Sequence, residues 1–320
     1  MVNDDRRKLI KLEYANLVQE QEACSNQYSS TIDEAERVRL KRKLDNLDKK
    51  VDELERQLYS NDLNADANRR SRALEDKLPK IDFKKQITTV KNILEQFTED
   101  GAALFLINDS LNMAGDLFRL EFKKMLEEET TDLKHYEVAF SIGRRLDEIG
   151  FLQGLGGHLG IDEIENEREY STVIDKIFGF IGNGSIVFIE LRKINLLSNR
   201  EDFFSWLVNN FWKTLVEKLS LICQFKDIEQ VKFIFLAMSD TDICKEYAKL
   251  SCFCTEIEFD KYKILEIPLK EWSEKDIRDW LTKHSGLSKE KNTAIARDVY
   301  ESSRGGTPKN IRDALMSTLS

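Results

Sequence analysis

Between Asn108 and Leu117 the chain keeps the spacing of a loop that cradles phosphate while lacking its residues. In the frame GxxxxGK[ST] the best alignment puts Ser110 at the first glycine, Gly115 at the second, Asp116 at the lysine and Leu117 at the hydroxyl that would hold magnesium. The lysine of such a loop brings positive charge to the β- and γ-phosphates. A carboxylate in its place repels them, and a leucine offers no ligand atom to a metal ion. A nucleotide fold carrying this loop is expected to have lost its nucleotide.

Other residues able to do chemistry assemble less well. The densest glycine cluster, Gly150-Phe151-Leu152-Gln153-Gly154-Leu155-Gly156-Gly157-His158-Leu159-Gly160, could present backbone N–H groups to an anion. It follows no clear strand and opens no convincing helix, so it reads as a mobile surface loop with His158 exposed. His135 and His284 have no Ser or Cys close in sequence to suggest a nucleophile. The five cysteines, Cys24, Cys223, Cys244, Cys252 and Cys254, lack the spacing of a zinc site. Cys252 and Cys254 are expected to share one face of a strand as packed thiols, and no metal or cofactor is expected.

The elements that must position these residues are legible from apolar periodicity. Ala102-Ala103-Leu104-Phe105-Leu106-Ile107 reads as a buried strand and Leu117 to Leu126 as a helix, with the phosphate-loop frame between them. Further strands are expected at Ser185–Glu190, Val231–Ala237 and Lys263–Pro268, and a helix at Ile87–Phe97. Helices alternating with short apolar strands imply an α/β fold with a parallel sheet. After Pro268 the pattern is wholly helical. Ser273 can cap a helix whose Ile277, Trp280 and Leu281 share a face, Gly305-Gly306 ends another, and Pro308 suits the first position of a third.

This order resembles a P-loop NTPase of the AAA/STAND type, and within it the inactive STAND domains of bacterial conflict systems. The resemblance covers about Leu78 to Ser320. Besides the loop frame, Ile186-Val187-Phe188-Ile189-Glu190-Leu191 is similar to a Walker B strand, with Glu190 at the magnesium-associated acid and Leu191 where an active enzyme keeps a water-activating glutamate. Phe233 to Ser239 stands in the place of a sensor-1 strand. Ile267-Pro268 through Trp272, Trp280, Gly306 and Pro308 is similar to a helical lid. The resemblance implies a degenerate P-loop NTPase-like domain over 78–270 with a lid over 271–320. Active switches of this type continue into a winged-helix module and a repeat array. Neither follows here, so neither a sensor array nor an effector enzyme is expected.

Ahead of this domain, Ile10, Tyr14, Leu17, Gln21, Cys24 and Tyr28, then Leu40, Leu44, Leu47, Val51, Leu54 and Leu58, recur at spacings of three and four. Thr31 and Glu34 form a capping-box signature between the two sets. An antiparallel coiled-coil hairpin over 1–60 is expected, followed by a linker over 61–77. A two-helix hairpin buries little area, so a protein partner or self-association through the second seam is expected. The basic run Arg37–Lys43 is interleaved with Glu34, Glu36, Asp45 and Asp48 and reads as a solvated face.

Composition narrows the function. The 320 residues are 41% hydrophobic and 33% charged, with net charge −9, which disfavours broad binding to polyanions such as nucleic acid or anionic membrane. No apolar leader or spanning segment is evident, and a cytoplasmic protein is expected. The leading expectation is a non-catalytic interaction or scaffold module. One alternative is a divergent ATPase or GTPase in which Lys123 or Lys124 replaces the loop lysine, although these lie about two turns along the helix. A second is a nucleic-acid sensor using Arg304, Lys309 and Arg312.

Overall fold

The computed structural model describes residues 77–319 apart from 98–99, 142, 144, 162, 227–228, 244–249 and 304, together with 16–17, 20, 23–24, 27–28, 36, 38–44, 46–47 and 50–51. The chain divides into two compact units, Met1–Arg72 with Ser320, and Ala73–Leu319. Among the described residues no helix is long and apolar enough to cross a membrane.

In the second unit six strands form one sheet: β1 (Asp100–Ile107), β2 (Leu133–Ala139), β3 (Ile186–Arg192), β4 (Val231–Met238), β5 (Phe253–Cys254) and β6 (Ile264–Glu266). Their order is β2-β3-β4-β1-β6-β5, and every pairing is parallel. β1 is central, with Leu104 level with Phe235 of β4 on one side and Ile264 of β6 on the other. A strand with both faces covered needs no polar alternation, which explains the unbroken apolar run of β1. Its alternate residues enter different cores. Ala102, Leu104 and Leu106 point into one, and Ala103, Phe105 and Ile107 into the other.

The first face is covered by α3 (Glu148–Leu159), α4 (Tyr170–Phe178), α5 (Arg200–Trp206) and α6 (Lys213–Lys226), the last two joined by a π-helical turn at Leu207–Trp212. The second is covered by α1 (Lys84–Leu94), α2 (Gly115–Glu129) and a terminal trio, α7 (Glu274–His284), α8 (Lys289–Ser302) and α9 (Pro308–Leu319). Phe122 of α2 packs between Phe105 and Phe188, with ring centroids 6.0 and 5.5 Å away. Each buried phenyl contributes about 1.5–3 kcal/mol by removal from water. α2 is therefore fixed over β1 and β3, and the loop entering it is fixed as well.

Two sequence expectations are corrected and one strand is added. The glycine cluster is not a surface loop: it forms α3, capped by Asp147, whose side chain accepts from Gly150 N–H. Phe151, Leu152 and Leu155 are buried, and a Cβ on Gly154 would stand 2.6 Å from Val138 Cγ1, so Gly154 serves close approach of α3 to β2. β2 itself carries too many polar residues to announce a strand. Cys252 and Cys254 do not share a face, because Cys252 enters the first core and Cys254 packs against the second.

Within the first unit, Cys24, Leu40, Leu44 and Leu47 are buried together, with Leu17 and Tyr28 packed against them. The Cys24 thiol lies 3.8 Å from the Leu40 carbonyl oxygen, and Lys43 pairs with Glu20 at 2.8 Å. Val51 is buried too. Leu54, Leu58, Thr31 and Glu34 lie outside the described residues.

Candidate functional site

The residues aligned with a phosphate loop do lie between a central strand and a helix N-terminus, but several of the loop's backbone donors are already engaged. Ser110 N–H donates to Ser239 C=O at 2.8 Å and Asp109 N–H to Thr241 C=O at 3.3 Å, both at the end of β4. Asn112 and Met113 N–H donate to Asp109 C=O, and Gly115 N–H to Ser110 C=O at 2.7 Å. A phosphate loop works by presenting free N–H groups to the anion. Here those groups meet carbonyls of the protein. The loop is folded so tightly on itself that a Cβ on Gly115 would stand 2.4 Å from Ser110 Cβ. The glycine is kept for that contact.

Side chains add negative charge to the same place. The Ser110 hydroxyl donates to Asp240 at 3.1 Å, and Asn108 donates its amide to Glu266 at 2.8 Å. Burial raises the Asp109 carboxyl above its ordinary range, Asn112 donating to it opposes that, and the charge of Asp242 adds to the rise. The sensor-like Ser239 is fully buried, and its hydroxyl donates to Thr241 C=O at 2.7 Å.

The last helix of the terminal trio reaches this loop, and the other two pack into the second core. Trp272, Ile277, Trp280 and Leu281 are buried in the second core, and the Trp280 indole donates to Lys77 C=O at 2.8 Å. Ser273 caps α7 in a box with Asp276. Gly306, at φ +95°, accepts from Trp272 N–H, and a Cβ there would lie 2.5 Å from Trp272 O, so only glycine fits. Pro308 opens α9, whose Lys309 N–H donates to Asn112 C=O at 3.0 Å. Arg312 of α9 donates to Asp116 of α2 at 2.7 Å, above a cleft of about 510 Å³ floored by Leu78, Pro79, Leu117 and Leu120.

The acid at the Walker B position sits elsewhere. Glu190 is fully buried, one strand beyond β4 from the loop, and faces His135 and Glu137 of β2. Its carboxylate accepts from Arg119 of α2 at 3.3 Å and approaches His135 Nε2 at 3.1 Å, with Arg192 at 3.8 Å. Glu137 accepts from Arg192 at 2.7 Å and pairs with Arg119 at 3.5 Å. Burial alone would raise the Glu137 carboxyl, but Arg192, Arg119 and His135 outweigh it and hold it below its ordinary range. His135, Glu137 and Glu190 bring ligand atoms within 4.8 Å of one another, the only such group among the described residues. Two guanidinium groups already balance its two carboxylates, so a divalent cation would enter against two positive charges. The residues suit an ion-pair network better than a metal centre.

The structure thus brings Ser110, Gly115, Asp116 and Leu117 together and keeps Glu190 and Leu191 apart from them, with Leu191 buried in the core of the opposite face. Lys123 and Lys124 pair with Glu127 and Glu128 on their own helix, at 3.8 and 3.9 Å. Arg304 lies outside the described residues. Sequence reasoning missed Arg119, His135, Glu137 and Arg192. The available signal was the period-two pairing of His135 with Glu137 and of Glu190 with Arg192, which places each pair on one face of a strand.

A family model for inactive STAND domains matches residues 78–237, and one for effector-associated domain 9 matches residues 2–61. No curated protein matches the chain in sequence. Among solved structures it is similar to Drosophila ORC bound to DNA, at 12% identity over 74% of this chain and 55% of that one, with TM-score 0.38. It is also similar to Aeropyrum pernix ORC2 in its ADPNP-ADP complexes, at 10% identity over 73% and 60%, with TM-score 0.39. A third similarity is to Saccharomyces cerevisiae RIF2, at 8% identity over 79% and 88%, with TM-score 0.40. The chain spans little more than half the length of the first two. With half of its 320 residues matched by the inactive STAND model, the chain belongs to the inactive STAND family.

Proposed function

We propose that this protein is a non-catalytic interaction module of a bacterial defence or signalling system, acting in the cytoplasm as an adaptor or scaffold. In this reading a degenerate NTPase-like domain over 78–270 and its lid over 271–320 form a nucleotide-independent body. A linker over 61–77 joins them to a coiled-coil hairpin over 1–60 that takes a protein partner or a second copy. The observation that carries the reading is the closed loop: Asp109, Ser110, Asn112, Met113 and Gly115 N–H groups all donate to carbonyls of the protein. Phosphoryl transfer relies on positioned donors, positive charge, magnesium and an oriented nucleophile. This loop holds its donors internally, carries Asp116 for the lysine and Leu117 for the metal ligand, and stands apart from an acid already paired with arginine.

The effector-associated match at residues 2–61 supports association through the hairpin. Asp at positions 47 and 54 would put two charges on its apolar seam. Light scattering on the full chain carrying Leu47→Asp and Leu54→Asp is expected to show loss of self-association or partner capture while the α/β unit stays folded. Unchanged assembly would make the hairpin mere packing. The alternatives fare worse, because Lys123 and Lys124 are engaged along α2 and Arg312 is engaged by Asp116.

A further inference from the structure

Two helix N-termini converge on the closed loop. α2 starts at Gly115 with no side-chain cap, and α9 starts at Pro308 with Lys309 N–H bonded to Asn112 C=O, three residues before α2. Each N-terminus carries the positive end of a helix dipole, equivalent to roughly half an elementary charge. Arg312, one turn into α9, adds a full positive charge. Three positive centres facing one another would drive the lid from the loop unless an anion lay between them. The acid that pairs with Arg312 is Asp116, the only acidic residue in the first turn of α2, with its carboxylate 2.7 Å from Arg312 Nη1.

We infer that Asp116 is a built-in counter-ion that holds the lid on the loop, doing covalently what a bound phosphate would do as a ligand. On this view the aspartate is more than the loss of a lysine. It exchanges ligand-dependent closure for permanent closure, with α9 kept in place by Arg312–Asp116 and Lys309–Asn112. The inference rests on the reading of the loop as unable to take phosphate. Both partners are partly exposed, with side-chain exposures of 39% for Arg312 and 52% for Asp116, so water screens the pair and its effect is local.

Hydrogen exchange on the full chain tests this, with α7 and α8 as internal controls for the fold. Asp116→Lys should speed amide exchange over 309–319 by about tenfold, and Asp116→Asn and Arg312→Met by about threefold each, the range of a partly exposed pair reinforced by helix dipoles. Exchange over 274–302 should stay unchanged. Sulfate compared with chloride at matched ionic strength should slow exchange over 309–319 in the Asp116→Asn protein, because it refills the vacated anion position. Unaltered exchange over 309–319 in the Asp116→Lys protein, equal acceleration over 274–302, or no response to sulfate would overturn the counter-ion role. The same measurement with ATP on the unmodified chain separates the two readings: protection gained over 309–319 would sink the nucleotide-independent reading, whereas an unresponsive lid leaves it standing whatever Asp116 does.

Discussion

The loop after β1 and the end of β3 are the two places that the sequence aligns with a phosphate loop and a Walker B acid, and their polar groups are engaged in different ways. At the loop the closure is made by backbone: N–H groups donate to neighbouring carbonyls, and Gly115 lets the turn pack onto Ser110. At β3 it is made by side chains: Arg119, Arg192 and His135 surround a fully buried Glu190. A side-chain closure is undone by one substitution. A backbone closure belongs to the conformation of the whole segment and survives replacement of a side chain, Gly115 excepted because a Cβ there would stand 2.4 Å from Ser110 Cβ. The two sites should therefore respond unequally to mutation.

The largest effect is expected in the core beneath the terminal helices. Trp280→Ala removes an indole buried in the second core together with its bond to Lys77 C=O. Urea unfolding should show a loss of about 3–5 kcal/mol, the range for a large aromatic deleted from a core. If the loss stayed below about 1 kcal/mol, the lid would be loosely docked and the closure of the loop would be the loop's own.

Glu190→Gln comes next. It leaves Arg119 and Arg192 facing a neutral amide where the buried carboxylate stood. Stability should fall by about 2–3 kcal/mol, below the usual range for breaking a buried pair because both arginines reach solvent. Removing Arg119 as well should add little, since the charge it balanced is gone. Additive losses would mean that the network is a set of independent contacts and that β3 is closed in the same way as the loop.

How much of this was legible in the sequence follows from where the information lies. β1, β3 and β4 announce themselves because strands buried on both faces need unbroken apolar runs, and the terminal helices because Ser273, Gly306 and Pro308 each meet a local backbone requirement. β2 stayed hidden because it is an edge strand whose Lys134, His135 and Glu137 face water or the ion-pair network. α3 was misread because Gly154 answers to the approach of β2 and Gly156 to Ile164, tertiary requirements that override helix propensity. The loop's missing chemistry was visible in Asp116 and Leu117. Its backbone closure was not, because acceptors at Ser239 and Thr241 arrive from a strand more than a hundred residues away.

Smaller effects should appear as opposite pH dependences at the two sites. The Glu137 carboxyl is held below its ordinary value of 4.5, so its contribution is present above that value and is lost as pH falls through the lowered one. Glu137→Gln should then cost stability at neutral pH, with the difference from the parent shrinking below about 4.5. The Asp109 carboxyl is raised above 3.8, so its contribution is present below that value and is lost as pH rises through the raised one. Asp109→Asn should stabilise at neutral pH, and Asn also tolerates the φ of +48° found there. Unfolding midpoints at pH 4 and 7 for both variants check the signs. Parallel shifts would erase the contrast between the sites.

The most direct test restores the side chains of the loop while leaving its backbone acceptors in place. Calorimetry with magnesium and ATP should be run on the parent chain and on the triple variant Ser110→Gly, Asp116→Lys, Leu117→Thr. The account predicts no saturable heat from either protein, because the N–H groups of Asp109, Ser110, Asn112, Met113 and Gly115 remain bonded to Ser239, Thr241, Asp109 and Ser110. Saturable, magnesium-dependent binding by the parent, or its appearance in the triple variant, would contradict the claim that the loop is closed by its backbone.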